Sequence, residues 1–98
     1  MSRKSHRQRY EVFLAQLREA RQRAGVTQID TAGALSQTQT FISKVERGER
    51  RLDVIDLIDF LRVYGEEPAA FVSELCDSLA EPTTSEVAPS RRRRVGRK

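Results

Sequence analysis

Residues 38–51 carry amide, hydroxyl and basic side chains at short intervals around two aliphatic positions, and then reach a glycine among arginines. In a helix, Ile42 and Val45 would face inward together, leaving the polar side chains outside. Such groups can form hydrogen bonds with base edges in a DNA major groove, which an α-helix fills. A solvated helix face with no ligand is the alternative. The polar set comprises Thr38, Gln39, Thr40, Ser43, Lys44 and Arg47, followed by Gly48, Arg50 and Arg51.

Basic residues are concentrated at the two ends of the chain and in one internal segment. Residues 1–9 hold four bases and no acid, residues 80–98 hold six bases and two acids, and residues 44–51 hold four bases and two acids. In contrast, residues 53–77 hold seven acids and one arginine. This asymmetry suits a polyanionic partner at one surface. Ordinary basic ends on a solvated protein are the alternative.

Length and composition predict one small domain in a soluble protein of the cytoplasm. The chain has 98 residues, 38% of them hydrophobic, and it contains neither a run of eighteen apolar residues nor a signal-type segment. Membrane association is therefore not expected. Cys76, the single cysteine, cannot form an internal disulfide and is expected to be a small apolar filler.

Catalytic chemistry, a metal site and a cofactor are not expected. His6, the single histidine, lies in a basic segment. Asp53, Asp56 and Asp59 recur every three residues, but a solvated helix face explains that spacing. No set of acids and histidine has the spacing of metal ligands or of an acid–base pair.

Apolar periodicity predicts three helices in the first half of the chain. One stripe begins at Tyr10 and ends before Gly25, a residue that tolerates positive φ. Thr27 and Asp30 have the spacing of a capping box and predict the start of a short second helix. Thr38 can cap a third helix, which Gly48 would end.

Two further helices follow, and no strand-like alternation is visible. Asp53 is expected to cap a fourth helix that ends at Gly65, and Pro68 is expected to open a fifth. The apolar residues of the fourth helix cover most of its circumference, so we expect it to lie in the core: Ile55, Leu57, Ile58, Leu61, Val63 and Tyr64. The fifth helix has one apolar stripe of Phe71, Val72, Leu75 and Leu79. The prediction is an all-α domain over residues 9–79, with a basic arm at 1–8 and a disordered Arg-rich tail at 80–98.

The segment "VTQIDTAGALSQTQTFISKVERGERRLDV" resembles the helix-turn-helix of the Xre family, the phage lambda-type repressor class, and the similarity extends over roughly residues 10–75. This resemblance implies a five-helix, lambda-repressor-like DNA-binding domain with flexible basic tails. Helices two and three would form the DNA-reading unit.

The resemblance also implies roles for individual residues. Gln28 would bind a phosphate, and Ser43 would contact bases or phosphate. Arg21 would pair with Glu46 and tie the first helix to the end of the third. The base-contacting residues would be Gln39, Thr40 and Lys44, beside Thr38 and Arg47, and the backbone-gripping loop would contain Gly48, Arg50 and Arg51.

Three residues depart from the family pattern: Thr31 where an apolar residue is usual, Ser36 where the turn often has glycine, and Gln37 where an aliphatic residue is common. We expect Ile29 to turn inward in place of Thr31, which would rotate the second helix slightly. Gly33 is expected to weaken that helix by about 0.5–1 kcal/mol relative to alanine.

The expected function is sequence-specific regulation of transcription, as a repressor that binds double-stranded DNA as a homodimer. The alternative is an antitoxin that binds its operator and also neutralises a protein partner. The apolar stripe of the fifth helix, with Phe71, Val72, Leu75 and Leu79, is the expected dimer surface. Its rival interpretation is internal core.

Overall fold

The computed structural model describes residues 5–80, and within that range the chain forms five α-helices and no strand. They are α1 (His6–Arg23), α2 (Gln28–Leu35), α3 (Gln39–Glu46), α4 (Val54–Tyr64) and α5 (Pro68–Leu79). The predicted all-α, five-helix fold is confirmed. Residues 1–4 and 81–98, which include half of the predicted arm and nearly all of the predicted tail, lie outside the described residues. No described helix combines the length and hydropathy that crossing a membrane requires.

Helix boundaries follow the local capping signals. The Thr27 side chain accepts a hydrogen bond from the Asp30 backbone N–H, and the Asp30 carboxylate accepts one from the Thr27 N–H, each at 3.0 Å. This is the predicted capping box, and its hydrogen bonds lower the pKa of Asp30. The Thr38 hydroxyl caps α3 by accepting from the Phe41 N–H at 3.0 Å, and Asp53 caps α4.

Helix α1 begins earlier than the predicted arm allowed. The Ser5 hydroxyl accepts a hydrogen bond from the Gln8 N–H at 3.1 Å, and the Gln8 side chain accepts one from the Ser5 N–H at 2.8 Å. These reciprocal bonds form a capping box that starts the helix at His6. Residues 6–8 are helical because this cap stabilises the first turn, and the basic side chains around them do not prevent it.

The core lies between α1 and the other helices. Helix α1 packs against α3, α4 and α5, while α2 packs against α3 and α4. The Phe13 and Phe71 rings meet edge to face with centroids 6.2 Å apart. The Gln16 side-chain amide donates a hydrogen bond of 2.9 Å to the Phe71 carbonyl, so it secures α5 to α1. The largest fully buried side chains are Leu17, Thr31, Ile42, Val45, Phe60, Leu61 and Phe71.

The prediction that the apolar residues of α4 lie in the core is confirmed for Leu61 and Tyr64 and wrong for Ile55, while Leu57, Ile58 and Val63 are half-buried. Ile55 is 66% exposed, and Val54 is similarly exposed. The buried side consists of Phe60, Leu61 and Tyr64, and Phe60 was absent from the predicted core set. Helix α4 contacts α1, α2 and α5, but none of them covers Val54 and Ile55 at its start.

The expected inward turn of Ile29 is also wrong. Ile29 is 65% exposed, whereas Thr31 is fully buried. The Thr31 hydroxyl donates to the Thr27 carbonyl at 2.9 Å and lies 3.4 Å from the Tyr64 hydroxyl. Since its polar group is satisfied, threonine can occupy this core position. Burial raises the pKa of Tyr64, partly offset by its contact with Thr31.

Helix α5 distributes its apolar stripe between core and surface. Phe71 is 1% exposed and belongs to the core, which contradicts its assignment to a dimer surface. Val72 is 44% exposed, while Leu75 and Leu79 are half-buried. Cys76 is exposed and does not fill the core as expected, because it lies outside the side of α5 that faces α1.

Candidate nucleic-acid interface

Two buried aliphatic residues determine which side of α3 faces outward. Ile42 and Val45 are fully buried, so the side chains on the opposite side of the helix point to solvent. Gln39, Thr40 and Lys44 are exposed there. This exposed side therefore presents an amide, a hydroxyl and an ammonium group.

The turn between α2 and α3 contains a serine in a left-handed conformation. Ser36 has φ 56° and ψ 42°, and it caps the end of α2. The Gln37 N–H donates to the Ala32 carbonyl at 2.9 Å, which closes the turn. A left-handed non-glycine residue costs about 1–2 kcal/mol. The departure from glycine at this position consequently costs free energy but leaves the tight connection intact.

An ion pair joins α1 to the end of α3. The Arg21 Nε and Nη2 atoms donate to the two Glu46 carboxylate oxygens at 2.6 and 3.1 Å. Arg21 Nη1 also donates to the Val26 carbonyl at 3.0 Å, in the segment between α1 and α2. The Glu46 side chain is 5% exposed. The pair therefore ties three parts of the chain together beneath the exposed side of α3.

Two glutamines extend this network towards the surface. The Gln28 amide donates to Glu46 Oε1 at 3.0 Å, and the Gln39 amide lies 3.5 Å from the Gln28 amide oxygen. The structure thus brings Gln28 against Glu46 and beside Gln39. Phosphate binding by Gln28 stays a prediction. Its placement also links the first turn of α2 to the first turn of α3 through Gln39, and to the end of α3 through Glu46.

The loop after α3 depends on glycine at position 48. Gly48 has φ 81°, and a Cβ atom there would lie 3.2 Å from the Leu14 Cδ1 atom. The next two backbone N–H groups, of Glu49 and Arg50, donate to the Lys44 carbonyl at 2.9 and 3.2 Å. Close packing and positive φ both favour glycine here. The loop consequently turns sharply away from the end of α3.

Aromatic rings support two loop arginines. The guanidinium carbon of Arg50 lies 4.9 Å from the Phe41 ring centroid, and that of Arg51 lies 4.8 Å from the Tyr10 ring centroid. The Tyr10 hydroxyl also accepts a hydrogen bond of 3.4 Å from the Leu52 N–H. Such cation–π contacts contribute about 0.5–1 kcal/mol at exposed sites. Tyr10 was predicted only as an apolar helix residue, and no local pattern links it to Arg51.

Arg47 is engaged by groups of the protein itself. It donates to both Glu49 carboxylate oxygens, at 3.0 and 3.1 Å, and to the Ser43 hydroxyl. The hydrogen bonds and charge attraction between Arg47 and Glu49 raise the pKa of Arg47 and lower that of Glu49, and nearby Lys44 lowers the pKa of Glu49 further. Glu49 was not among the predicted site residues. An acid two positions after a predicted DNA-contacting arginine was the available signal.

The predicted DNA-binding residues lie on α3 and its capping residue, at the start of α2 and in the loop that follows α3. They offer hydrogen-bond donors and acceptors on a helix that ends in a basic loop, which is the chemistry of base-edge and phosphate contacts. Within residues 5–80, no group of three His, Cys, Asp or Glu side chains is placed to hold a metal ion.

Comparisons with known proteins agree with this fold. Residues 12–75 match the family model of a helix-turn-helix domain. The chain is also similar to a solved structure described as an XRE-family like protein from Pseudomonas syringae pv. tomato str. DC3000. The two share 45% sequence identity and a TM-score of 0.72 over 76% of this chain and 92% of that chain. Among curated proteins, no match was found.

Proposed function

This chain belongs to the Xre family of helix-turn-helix proteins, DNA-binding regulators, and we propose that it is a sequence-specific repressor that binds an inverted-repeat operator as a homodimer. The observation that carries the proposal is the exposed side of α3, where Gln39, Thr40 and Lys44 lie together. Inserted in a major groove, this side would contact base edges while the Gly48–Arg51 loop contacts phosphates. Repression needs no further activity, because a protein bound over a promoter excludes the polymerase.

The rest of the surface supports this orientation. Seven acids and one arginine lie between residues 53 and 77, on and around α4 and α5. Four bases against two acids lie between residues 44 and 51. A phosphate backbone would attract the basic residues between 44 and 51 and repel the acidic residues between 53 and 77. The charge distribution thus favours one docking orientation, with α3 and its loop towards DNA.

The homodimer proposal follows from the small size of the α3 surface. One short recognition helix contacts only a few base pairs, whereas two copies related by two-fold symmetry contact twice as many. Val72 belongs to the predicted dimer surface and is exposed, and Val54 and Ile55 extend the exposed apolar area onto α4. Because α4 begins directly after the loop that follows α3, pairing there would place two recognition helices near the two-fold axis.

Selection of bound sites from random double-stranded DNA tests the function. We expect inverted repeats with half-site centres about 10 base pairs apart, one helical turn. Enrichment of no sequence would overturn sequence-specific binding. Asymmetric single half-sites, together with a monomer by light scattering at micromolar concentration, would overturn the homodimer.

The dimer surface has its own test. Val72→Glu should lower the mass measured by light scattering from dimer to monomer, because a charge would be buried in an apolar contact. Ser73→Glu is the matched control, since it adds the same charge at a neighbouring exposed position of α5. Equal effects of the two substitutions would place the dimer contact elsewhere.

A further inference from the structure

Glu49 is an acid on the surface that DNA would contact. Its two carboxylate oxygens accept hydrogen bonds from Nε and Nη2 of Arg47 at 3.0 and 3.1 Å. The third guanidinium nitrogen, Nη1, donates to the Ser43 hydroxyl. All three nitrogens of Arg47 are therefore engaged within the protein.

The Arg47–Glu49 pair has the geometry of an arginine–phosphate contact. Two parallel N–H···O bonds from Nε and Nη2 are also how arginine binds a phosphate group in a bidentate manner. The pair is about half exposed, with side-chain accessibilities of 53% for Arg47 and 54% for Glu49. A DNA phosphate can consequently form this bidentate contact with Nε and Nη2 of Arg47 only in competition with the Glu49 carboxylate.

We propose that Glu49 is an intramolecular competitor for DNA phosphate, and that it weakens the sequence-independent part of DNA binding by occupying the guanidinium group of Arg47. The inference rests on the proposed DNA-binding function. It assigns Arg47 to a phosphate contact. On DNA binding, the phosphate replaces the Glu49 carboxylate as the partner of Arg47. Phosphate contacts carry no base information, so the competition lowers affinity for operator and random DNA by similar factors.

The competition also affects the salt dependence. A lysine or arginine that neutralises a phosphate releases condensed counterions, with a slope of about −0.9 in log K against log salt for each phosphate. When Arg47 leaves Glu49 for a phosphate, the carboxylate loses its partner and attracts a cation, so the net release of cations is smaller. Without the carboxylate charge, the release is complete.

Glu49→Gln tests the proposal because glutamine keeps the size of the side chain and removes its charge. We expect binding to random and to selected DNA to strengthen roughly two- to fivefold, the equivalent of an exposed ion pair, with a salt slope steeper by a fraction of the about 0.9 that one phosphate contributes. A loss of affinity confined to the selected site would show that Glu49 contacts a base, and it would overturn the proposal. Unchanged affinity and slope would overturn it as well.

Two further variants separate the ion pair from net charge alone. In an Arg47→Gln background, Glu49→Gln should change affinity by less than about twofold, because the competing arginine is gone. Glu74→Gln removes the same charge from an exposed position of α5 and should likewise have little effect. An equal gain in affinity with and without Arg47 would assign the effect to charge and reject the competition.

The failure of this inference is distinguishable from failure of the proposed function. If the parent protein binds neither selected nor random DNA, the function itself is wrong. If the parent binds with the expected salt dependence and Glu49→Gln binds identically, only the competition is wrong. Circular dichroism of each variant checks that the helices are intact.

Discussion

Glu46 shows how one buried acid can be satisfied at the base of a DNA-facing surface. Its carboxylate accepts two hydrogen bonds from Arg21 and one from Gln28. A buried charge is costly without partners, and these three donors compensate for the loss of water. Arg21 in turn depends on Glu46 and on the Val26 carbonyl. The four groups act as a unit that positions the end of α3 against α1.

Glu46→Ala should therefore lower the free energy of unfolding by about 3–5 kcal/mol, since it leaves the guanidinium of Arg21 buried without its counter-charge. Thermal unfolding followed by circular dichroism measures the loss. Glu49→Ala is a matched control, because Glu49 also accepts from an arginine through two bonds but is exposed. It should leave the melting temperature nearly unchanged. Equal melting temperatures for all three proteins would contradict a stabilising role of the buried pair.

The exposed residues of α3 should behave in the opposite way. Alanine at Gln39, Thr40 or Lys44 should weaken binding to the selected site by about 1–3 kcal/mol each, because a base contact is lost. The melting temperature should barely change, since these side chains are exposed. Affinity is measured by fluorescence anisotropy with labelled DNA.

Gln22→Ala provides the control for these three variants, since Gln22 is an exposed glutamine near the end of α1. It should bind the selected site with the affinity of the parent. If all three α3 variants also bound with parental affinity, α3 would not be the helix that contacts bases.

At the scale of elements, α2 is the helix with the weakest local support. It has eight residues, contains Gly33, and ends in the left-handed Ser36. Its stability depends on the Thr27–Asp30 capping box and on the buried Thr31 and Ala32. Packing against α3 and α4 consequently supplies what the helix propensity of the segment lacks.

Gly33→Ala should stabilise the protein by about 0.5–1 kcal/mol. Gly33 has no unusual φ, and a Cβ atom added there would meet nothing within 4 Å. The gain comes from the lower conformational entropy of the unfolded chain. Chemical denaturation gives the free energy of unfolding in water.

Gly48→Ala is the contrasting substitution for this test. Positive φ and the 3.2 Å approach to Leu14 make alanine unfavourable at position 48, so this variant should be less stable than the parent. A destabilised Gly33→Ala protein would mean that α2 tolerates no added methyl group, contrary to the open space around Gly33.

At the scale of the whole molecule, much of the positive charge lies outside the five helices. Residues 85–98 contain six bases and one acid, and they lie outside the described part of the chain. Their positive charge is sufficient to contribute sequence-independent attraction to DNA. A solubilising role without DNA contact is the alternative.

Deletion of residues 85–98 should weaken binding to selected and random DNA alike and should reduce the salt slope, because fewer counterions are released. Titrations of labelled DNA at several salt concentrations measure both effects. A control protein of full length, with the six bases replaced by glutamine, should match the deletion. Equal salt slopes for the parent and both variants would leave only the solubilising role.

Much of the fold is determined by interactions between residues close in sequence. The structure contains the helix starts that local residues predicted: Thr27 with Asp30 for α2, Thr38 for α3, Asp53 for α4 and Pro68 for α5. The Ser5–Gln8 cap is equally local, although the prediction of a basic arm did not include it. Such signals are visible in the sequence because a cap bonds to backbone groups two or three residues away.

Burial and side-chain partnership were decided by the tertiary structure. Periodicity placed Ile42 and Val45 correctly, but it could not show that α4 leaves Ile55 uncovered or that Thr31 finds a partner in Tyr64. Nor could spacing show that Tyr10 supports Arg51, 41 residues later. The physical reason is that a helical period identifies an apolar side, whereas exposure depends on which distant helix packs against it. The sequence alone thus determined the helices and the outward side of α3, and tertiary packing decided which side chains are buried and how the arginines beside it are held.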